Sequence, residues 1–438
     1  MHKRGWISFA AGLAGILVAS LPAGGQAPAP PKAVVLKAAR IFDSRTGRVS
    51  SPGILVVQAG KIARVGGAVP ADAEVLDLGD ATLLPGFIDA HVHLTMEASE
   101  NWFRDFYQGI MRFPAEQAHY AALYAKRTLA AGFTTVRDVG SGDYLAMGLR
   151  NAINAGVVEG PQMLVSNYAI GATGGHGDGS PYPPYRVKPS GPLEGVCNGP
   201  EECRAAVRYQ IKYGADLIKC MPSGGVLSLG DPVDAPELTQ EEMNAIVSEA
   251  HAWGRKVAAH CHGDAAAKIA IAAGVDSIEH GSFLKPDTLA LMKKKGTYLV
   301  PTLSAGEWVG QKADKFPPAI AAKARAASAA IKAMFREAAR QGVKIALGTD
   351  AAVEPHGGNA REFSLMVEGG LSPAASLLAG TAGSADLLGV SAVAGSLEPG
   401  KSADIVAVPG DPVADIHATG KVFFVMKEGK IVKNSRSS

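Results

Sequence analysis

Pro85-Gly86-Phe87-Ile88-Asp89-Ala90-His91-Val92-His93 is an apolar run that closes on two histidines with one residue between them. It reads as a buried β-strand. Successive strand residues face opposite sides, so His91 and His93 face the same side. Two imidazoles on one face, at the C-terminal end of a strand, make half of a metal site. The other reading is a pair of strand-end histidines with no metal.

Four later strand ends bear on that choice. Lys219 ends Ala215-Asp216-Leu217-Ile218-Lys219. A charged, unpaired lysine there is costly. Either its amine has reacted with carbon dioxide to give a carbamate that can bridge two metal ions, or it is a salt-bridged lysine at the mouth of the fold. His260 ends Lys256-Val257-Ala258-Ala259-His260, and His262 follows by two. His280 ends Asp276-Ser277-Ile278-Glu279-His280, and Asp350 ends the run that begins at Val343. Any one of these is an ordinary residue. Five strand ends that each deliver a metal-type ligand exceed what chance supplies.

The 438 residues are 47% hydrophobic and 19% charged, with a net charge of +2 and no long run of one sign. That is a globular composition with ample core, and no patch for nucleic acid or a membrane surface. The 52 glycines and 27 prolines lie between apolar runs, as in a turn-rich α/β protein. At the start, Lys3 and Arg4 precede an apolar stretch from Trp6 to Leu21 and small residues through Ala27. This is the three-part pattern of a secretory signal over residues 1–27, with an uncleaved membrane anchor as the alternative. No other stretch approaches ~20 apolar residues, so the mature chain is expected to be soluble and exported, periplasmic or extracellular. Export permits disulfides, and Cys197 and Cys203 are close enough in a loop-like segment to pair. Cys220 and Cys261 follow strand-end site residues and should point away from them, as small core residues.

Residues 33–84 and 389–438 hold short β-like runs and read as one small sheet module built from both chain ends. Between them, in 85–388, strand-like runs at Leu83–His91, Thr134–Val139, Gln162–Ser166, Ala215–Met221, Lys256–His260, Ser277–His280, Thr297–Thr302 and Val343–Gly348 alternate with helical stretches such as Ala115–Ala131, Cys203–Tyr213, Thr239–Trp253 and Pro318–Gln341. This predicts an α/β fold, a (β/α)8 TIM barrel; a doubly wound open sheet is the runner-up. Polar residues at strand C-termini favour the barrel.

The chain resembles the amidohydrolase superfamily, and within it the imidazolonepropionase-like branch that includes dipeptidases. The resemblance is carried by 85–93, Lys219, His260, His280, Gly348-Thr349-Asp350 and the tail from Gly395 through Glu398-Pro399-Gly400 to Val406. It spans nearly all of residues 33–432. It implies a barrel with a β-sandwich made by both chain ends. It also implies His91, His93 and Asp350 on the more buried of two divalent ions, His260 and His280 on the other, and carboxylated Lys219 between them. Zinc is the usual metal, although these ligands do not select it. Two cations sharing a water make hydroxide available near neutral pH, and Asp350 is placed to carry the proton to the leaving nitrogen. In this branch a histidine at the place of His176, within Thr173-Gly174-Gly175-His176-Gly177-Asp178, faces the site; His176 is expected to bind the substrate carbonyl or carboxylate, the other reading being a loop histidine exposed to water. Ser223, Gly224, Gly225 and Val226 follow Lys219 at the same mouth and are expected to shape the leaving-group pocket. Pro301-Thr302-Leu303 and residues 354–362 should form other walls, Arg137 and Asp138 should be structural ion-pair residues, and Tyr182 and Tyr185 belong to a candidate flap.

The expected activity is therefore hydrolysis of C–N amide bonds in dipeptides or N-acyl amino acids; the branch also holds hydrolases of ochratoxin-type amides. The alternative is a cyclic-amide hydrolase of the imidazolonepropionase type, against which the signal segment and Lys219 argue. A non-catalytic binding protein is disfavoured by six intact ligand positions. The partners are peptide or small-molecule substrates, with no nucleic acid and no membrane after signal cleavage. The resemblance leaves a homo-oligomer open.

Overall fold

The structure is a computed structural model that describes residues 32–178, 185 and 188–435. The signal segment and Tyr182 lie outside the described residues. No helix among the described residues is long and apolar enough to cross a membrane.

The opening run is not one strand but two. Ala81–Pro85 pairs antiparallel with Ile405–Pro409 and parallel with Arg40–Asp43, whereas Phe87–Val92 pairs parallel with Phe133–Asp138. The chain changes sheets at Gly86, whose N–H donates to Asp404 O at 2.8 Å. A Cβ at this position would lie 2.1 Å from Thr134 Oγ1. Only a residue without a side chain passes there, so the predicted continuity from Leu83 to His91 is broken for a steric reason.

Parallel strands form two sheets. One has the order Gln162–Val165, Phe133–Asp138, Phe87–Val92, and the other Leu217–Cys220, Lys256–Cys261, Ser277–His280, Tyr298–Val300. Backbone bonds link their edges: Asp216 N to Val165 O at 2.8 Å and Ile170 N to Lys219 O at 2.8 Å. On the other side, Leu299 N bonds to Lys344 O, Ala90 N to Leu347 O and Asp350 N to His91 O, at 2.8, 2.8 and 2.7 Å. The predicted strand Val343–Gly348 makes one isolated parallel bridge here, Ile345 with Leu299, instead of a ladder. Part of its backbone turns elsewhere, since Leu347 N donates to Ala379 O at 3.1 Å. Helices Pro114–Ala130, Pro200–Lys212, Gln240–Ala252 and Pro318–Gln341 separate the strands close to where periodicity places them. This is an α/β architecture.

The chain ends build two further sheets. One runs Lys430–Asn434, Phe424–Lys427, Ile405–Pro409, Ala81–Pro85, Arg40–Asp43, Arg48–Ser50. The other runs Lys61–Val65, Gly53–Gln58, Val34–Ala38, Glu74–Asp77. Leu36, Leu55 and Ile62 from the second share a buried cluster with Leu83, Ile405 and Phe424 from the first. Burying both apolar faces against each other removes them from water. Cys197 and Cys203 form a disulfide, and Cys220 and Cys261 are free and buried in the core, as expected.

Candidate metal centre

Strand ends converge at one end of the parallel sheets. His91 Nδ1 lies 2.8 Å from Glu279 Oε2, and His93 Nδ1 lies 2.8 Å from Gly140 O. Both partners are acceptors, so each ring donates through Nδ1, and in its neutral form presents Nε2 as a lone pair. Those two Nε2 atoms sit 3.4 and 3.3 Å from the same oxygen, Asp350 Oδ1. With both rings neutral, three acceptors face one another, an arrangement that a cation among them satisfies. Their spacing is that of adjacent corners of a tetrahedron with ligand bonds of about 2.0–2.1 Å. The donor set and its spacing fit a divalent ion. One ring nitrogen of His280 joins His91 and Asp350 within 4.8 Å.

A second group adjoins it. Ring nitrogens of His260, His262 and His280 also lie within 4.8 Å of one another. Thr302 Oγ1 meets His280 Nδ1 at 2.7 Å and Ser282 Oγ meets His262 Nδ1 at 2.9 Å. His260 Nε2 donates to Gly224 O at 3.3 Å, which leaves Nδ1 free. Burial first, and neighbouring cationic groups second, push the pKa of His260 and His280 well down, so both rings are neutral, as ligands must be.

Lys219 is 1% exposed. Among the described residues no carboxylate pairs with it, so the salt-bridge reading is not what the structure places there. Burial pulls its pKa down, and Glu279 and Asp350 only partly oppose this. Its charge lowers the pKa of His176, His260, His262 and His280, which sets it among the site's imidazoles.

Further buried groups hold these side chains in place. Glu279 is fully buried and also accepts from Arg137 Nη2 at 2.8 Å, while Arg137 Nε donates to Ala90 O at 2.5 Å. Arg137 is thus an ion-pair residue whose partner is Glu279. Asp138, its neighbour, instead accepts from Leu94 N at 2.7 Å. Asp89 accepts from Thr349 Oγ1 at 2.7 Å, Asn359 Nδ2 at 2.8 Å and His91 N at 3.1 Å, which ties the first strand to the segment carrying Asp350. His280, Thr302 and Asp350 adopt left-handed backbone angles, with φ of 69°, 51° and 61°. Such angles cost on the order of 1–3 kcal/mol each in non-glycine residues and persist where the surrounding structure over-determines them.

His176 packs its ring 4.4 Å from that of His260. Its N–H donates to Glu237 Oε2 at 2.8 Å, and its Nδ1 lies 3.1 Å from Ser228 Oγ. Gly225 lies flat against it, and a Cβ there would stand 2.1 Å from the ring. Gly224 touches His260, and Ser223 Oγ accepts from His262 N at 2.9 Å. Val226 faces instead into an apolar cluster with Val309 and Ala324. Thr302 is a site residue, whereas Glu362 lies beneath the wall and accepts from Leu303 N and Ser304 N at 2.9 and 2.8 Å. Tyr185 is exposed.

Sequence reasoning missed His262, Asp89 and Glu279. His262 carried a signal: it repeats the His-x-His spacing of His91 and His93.

Residues 82–432 match the Amidohydrolase family. The ochratoxinase of Aspergillus niger is 35% identical over 371 residues, 80% of this chain and 75% of that protein. The crystal structure of a Xaa-Pro dipeptidase with methionine bound in its active site superposes with a TM-score of 0.89 at 39% identity, covering 92% of this chain and all of that one. A prolidase complexed with N-methylphosphonate-L-proline gives a TM-score of 0.82 at 30% identity over 92% of this chain and 100% of that one. The chain belongs to the amidohydrolase family, hydrolases that act on carbon–nitrogen amide bonds.

Proposed function

We propose that this protein is an exported, binuclear metal-dependent amidohydrolase that cleaves dipeptides or N-acyl amino acids. The observation that carries the reading is the convergence of His91 Nε2 and His93 Nε2 on Asp350 Oδ1. In this reading the parallel strands close as a (β/α)8 barrel over 85–388, and the sheets of 33–84 and 389–438 pack as a sandwich. The bonds between the parallel-sheet edges and the shared apolar cluster support that arrangement. The Cys197–Cys203 disulfide supports export, because such bonds persist in oxidising compartments.

His91, His93 and Asp350 would hold one ion, and His260 and His280 the other, with zinc the first choice. Lys219 would bridge them as a carbamate. Its buried, unpaired amine suits that role: the neutral nitrogen bonds to the carbon of carbon dioxide and releases a proton, and the product is an anion where a cationic ammonium would be costly. When bound, the ions supply Lewis acidity and lower the pKa of a water.

The chain's own groups do the rest. Asp350 Oδ1 faces the two imidazoles, which leaves Oδ2 free to take the proton of the attacking water. The water oxygen bonds to the carbonyl carbon, the C–N bond breaks, and the same Oδ2 returns the proton to the departing nitrogen. His176, held by Glu237, Ser228 and Gly225, orients the substrate carbonyl or carboxylate. Ser223, Gly224 and Gly225 line the leaving-group side, with Val226 packed behind them. The test is a screen of metal-loaded protein against dipeptides and N-acyl amino acids, ochratoxin A included, with metal content measured in parallel. Turnover with about two ions per chain is expected. Two firmly held ions with no amide cleaved, or full turnover after exhaustive chelation, would overturn the reading.

A further inference from the structure

A cavity of about 460 Å³ opens from His176, the residue whose ring packs on His260. Three separate segments bring aromatic side chains to it: Trp102 and Phe106 from helix Trp102–Met111, Trp308 from helix Leu303–Gln311, and Phe316 just beyond. Trp102 and Phe106 are four residues apart, so they share one helix face. Their rings stack at 5.1 Å and 10°. No residue of that helix is buried. The wall is nonetheless held in place. Glu100, two residues before the helix, pairs with both Lys312 and Lys315 of the Trp308 segment, and Lys312 Nζ sits 4.9 Å above the Trp308 ring.

Charge gives the cavity a direction. Asp105, Asp178 and Asp231 line it, and among the described residues no lysine or arginine does. Asp105 has Arg104 Nε at 3.7 Å and Asp231 has Lys323 Nζ at 3.6 Å, both outside the lining. Asp178 accepts only the Gly174 N–H, at 2.8 Å, among the described residues. An anionic group placed there meets repulsion, and a cationic one finds a partner.

Resting on the amide-hydrolase reading above, we infer that this cavity is the pocket for the acyl half of the substrate and selects an aromatic side chain beside a free ammonium group. Dipeptides with an aromatic first residue are then preferred, and the free carboxylate of the second residue lies away from this wall. Stacked indole and phenyl rings suit a flat aromatic guest, and Asp178 suits its ammonium.

Two measurements test this on the full metal-loaded protein. By calorimetry, phenethylamine, an aromatic ring with an ammonium, should bind at least tenfold more tightly than phenylacetate, its carboxylate counterpart. Trp102→Ala or Phe316→Ala should weaken phenethylamine at least fivefold, and Asp178→Asn at least threefold. No binding of phenethylamine, or tighter binding of phenylacetate, overturns the inference whether or not the protein is active. In turnover, phenylalanyl-alanine should exceed alanyl-alanine in kcat/KM by at least tenfold, and Trp102→Ala should reduce that ratio at least fivefold. A preference for alanyl-phenylalanine instead would place the aromatic pocket on the other half and refute it. If alanyl-alanine and every other amide are left intact, the proposed activity fails, while the binding arm still decides the pocket.

Discussion

Replacing Glu279 with glutamine exchanges one oxygen for an NH2 group, yet it removes the buried anion that holds both Arg137 and His91. The carboxylate takes Arg137 Nη2 on Oε1 and His91 Nδ1–H on Oε2, each at 2.8 Å. Burial alone would raise its pKa; Arg137 and His91 outweigh burial and hold it at about 2. A glutamine has one acceptor and one donor end. If its oxygen faces Arg137, its NH2 faces His91 Nδ1. That nitrogen must then be bare, and the proton moves to Nε2, the atom that faces Asp350. If the amide is flipped, the NH2 meets the guanidinium. Either way Arg137, 2% exposed, loses its counter-charge. Breaking a buried ion pair from one side costs about 3–5 kcal/mol, and loss of the group that orients a metal-bound imidazole costs about 10–100-fold in metal affinity. Denaturant unfolding at neutral pH reads the first, and competition with a chromogenic chelator reads the second. Stability within ~0.5 kcal/mol of wild type, together with metal affinity within twofold, would refute the tautomer argument and weaken the case for a metal between His91 and Asp350.

Asp350→Asn should retain metal and lower kcat by about 10²–10⁴-fold, the usual weight of a general acid–base group; wild-type turnover would remove the proton-carrier role. Lys219→Ala should bring metal content toward one ion or none by elemental analysis, and two tightly held ions in that variant would exclude the bridge. Gly225→Ala would put a methyl carbon 2.1 Å from the His176 ring, so kcat/KM should fall on the order of 100-fold through displacement of that ring while the far-UV spectrum stays native. Burial pushes Glu362 up to about 8 from its ordinary 4.5, against the opposing pull of the Leu303 and Ser304 N–H groups. Folding therefore favours its protonated form. Its stabilising contribution is complete below about 4.5 and is lost as pH rises through about 8. Unfolding midpoints measured from pH 4 to 9 should show that decline in wild type, and Glu362→Gln should flatten it.

The convergence of these side chains was legible because strand alternation is a strict rule. It places His91 with His93, and it turns Cys220 and Cys261 into the core beside Lys219 and His260. The rule fails where the backbone leaves the strand, and that failure hid the supporting layer. Glu279 and His280 are adjacent, so alternation sends them to opposite faces. Both nevertheless reach His91: Glu279 at 2.8 Å from Nδ1, and His280 with its ring 4.9 Å away. The left-handed φ of 69° at His280 reconciles the two, because it turns the side chain back toward the face that Glu279 occupies. Thr349 and Asp350 repeat the device: Thr349 Oγ1 is bound to Asp89, Asp350 reaches His91 and His93, and φ at Asp350 is 61°. Asp89 itself could be quoted from the sequence but not given a partner, since Asn359 lies 270 residues away. The aromatic wall was hidden for a related reason. Trp102, Trp308 and Phe316 come from helices and loops whose mutual approach depends on tertiary packing, and no local pattern in the chain encodes that approach.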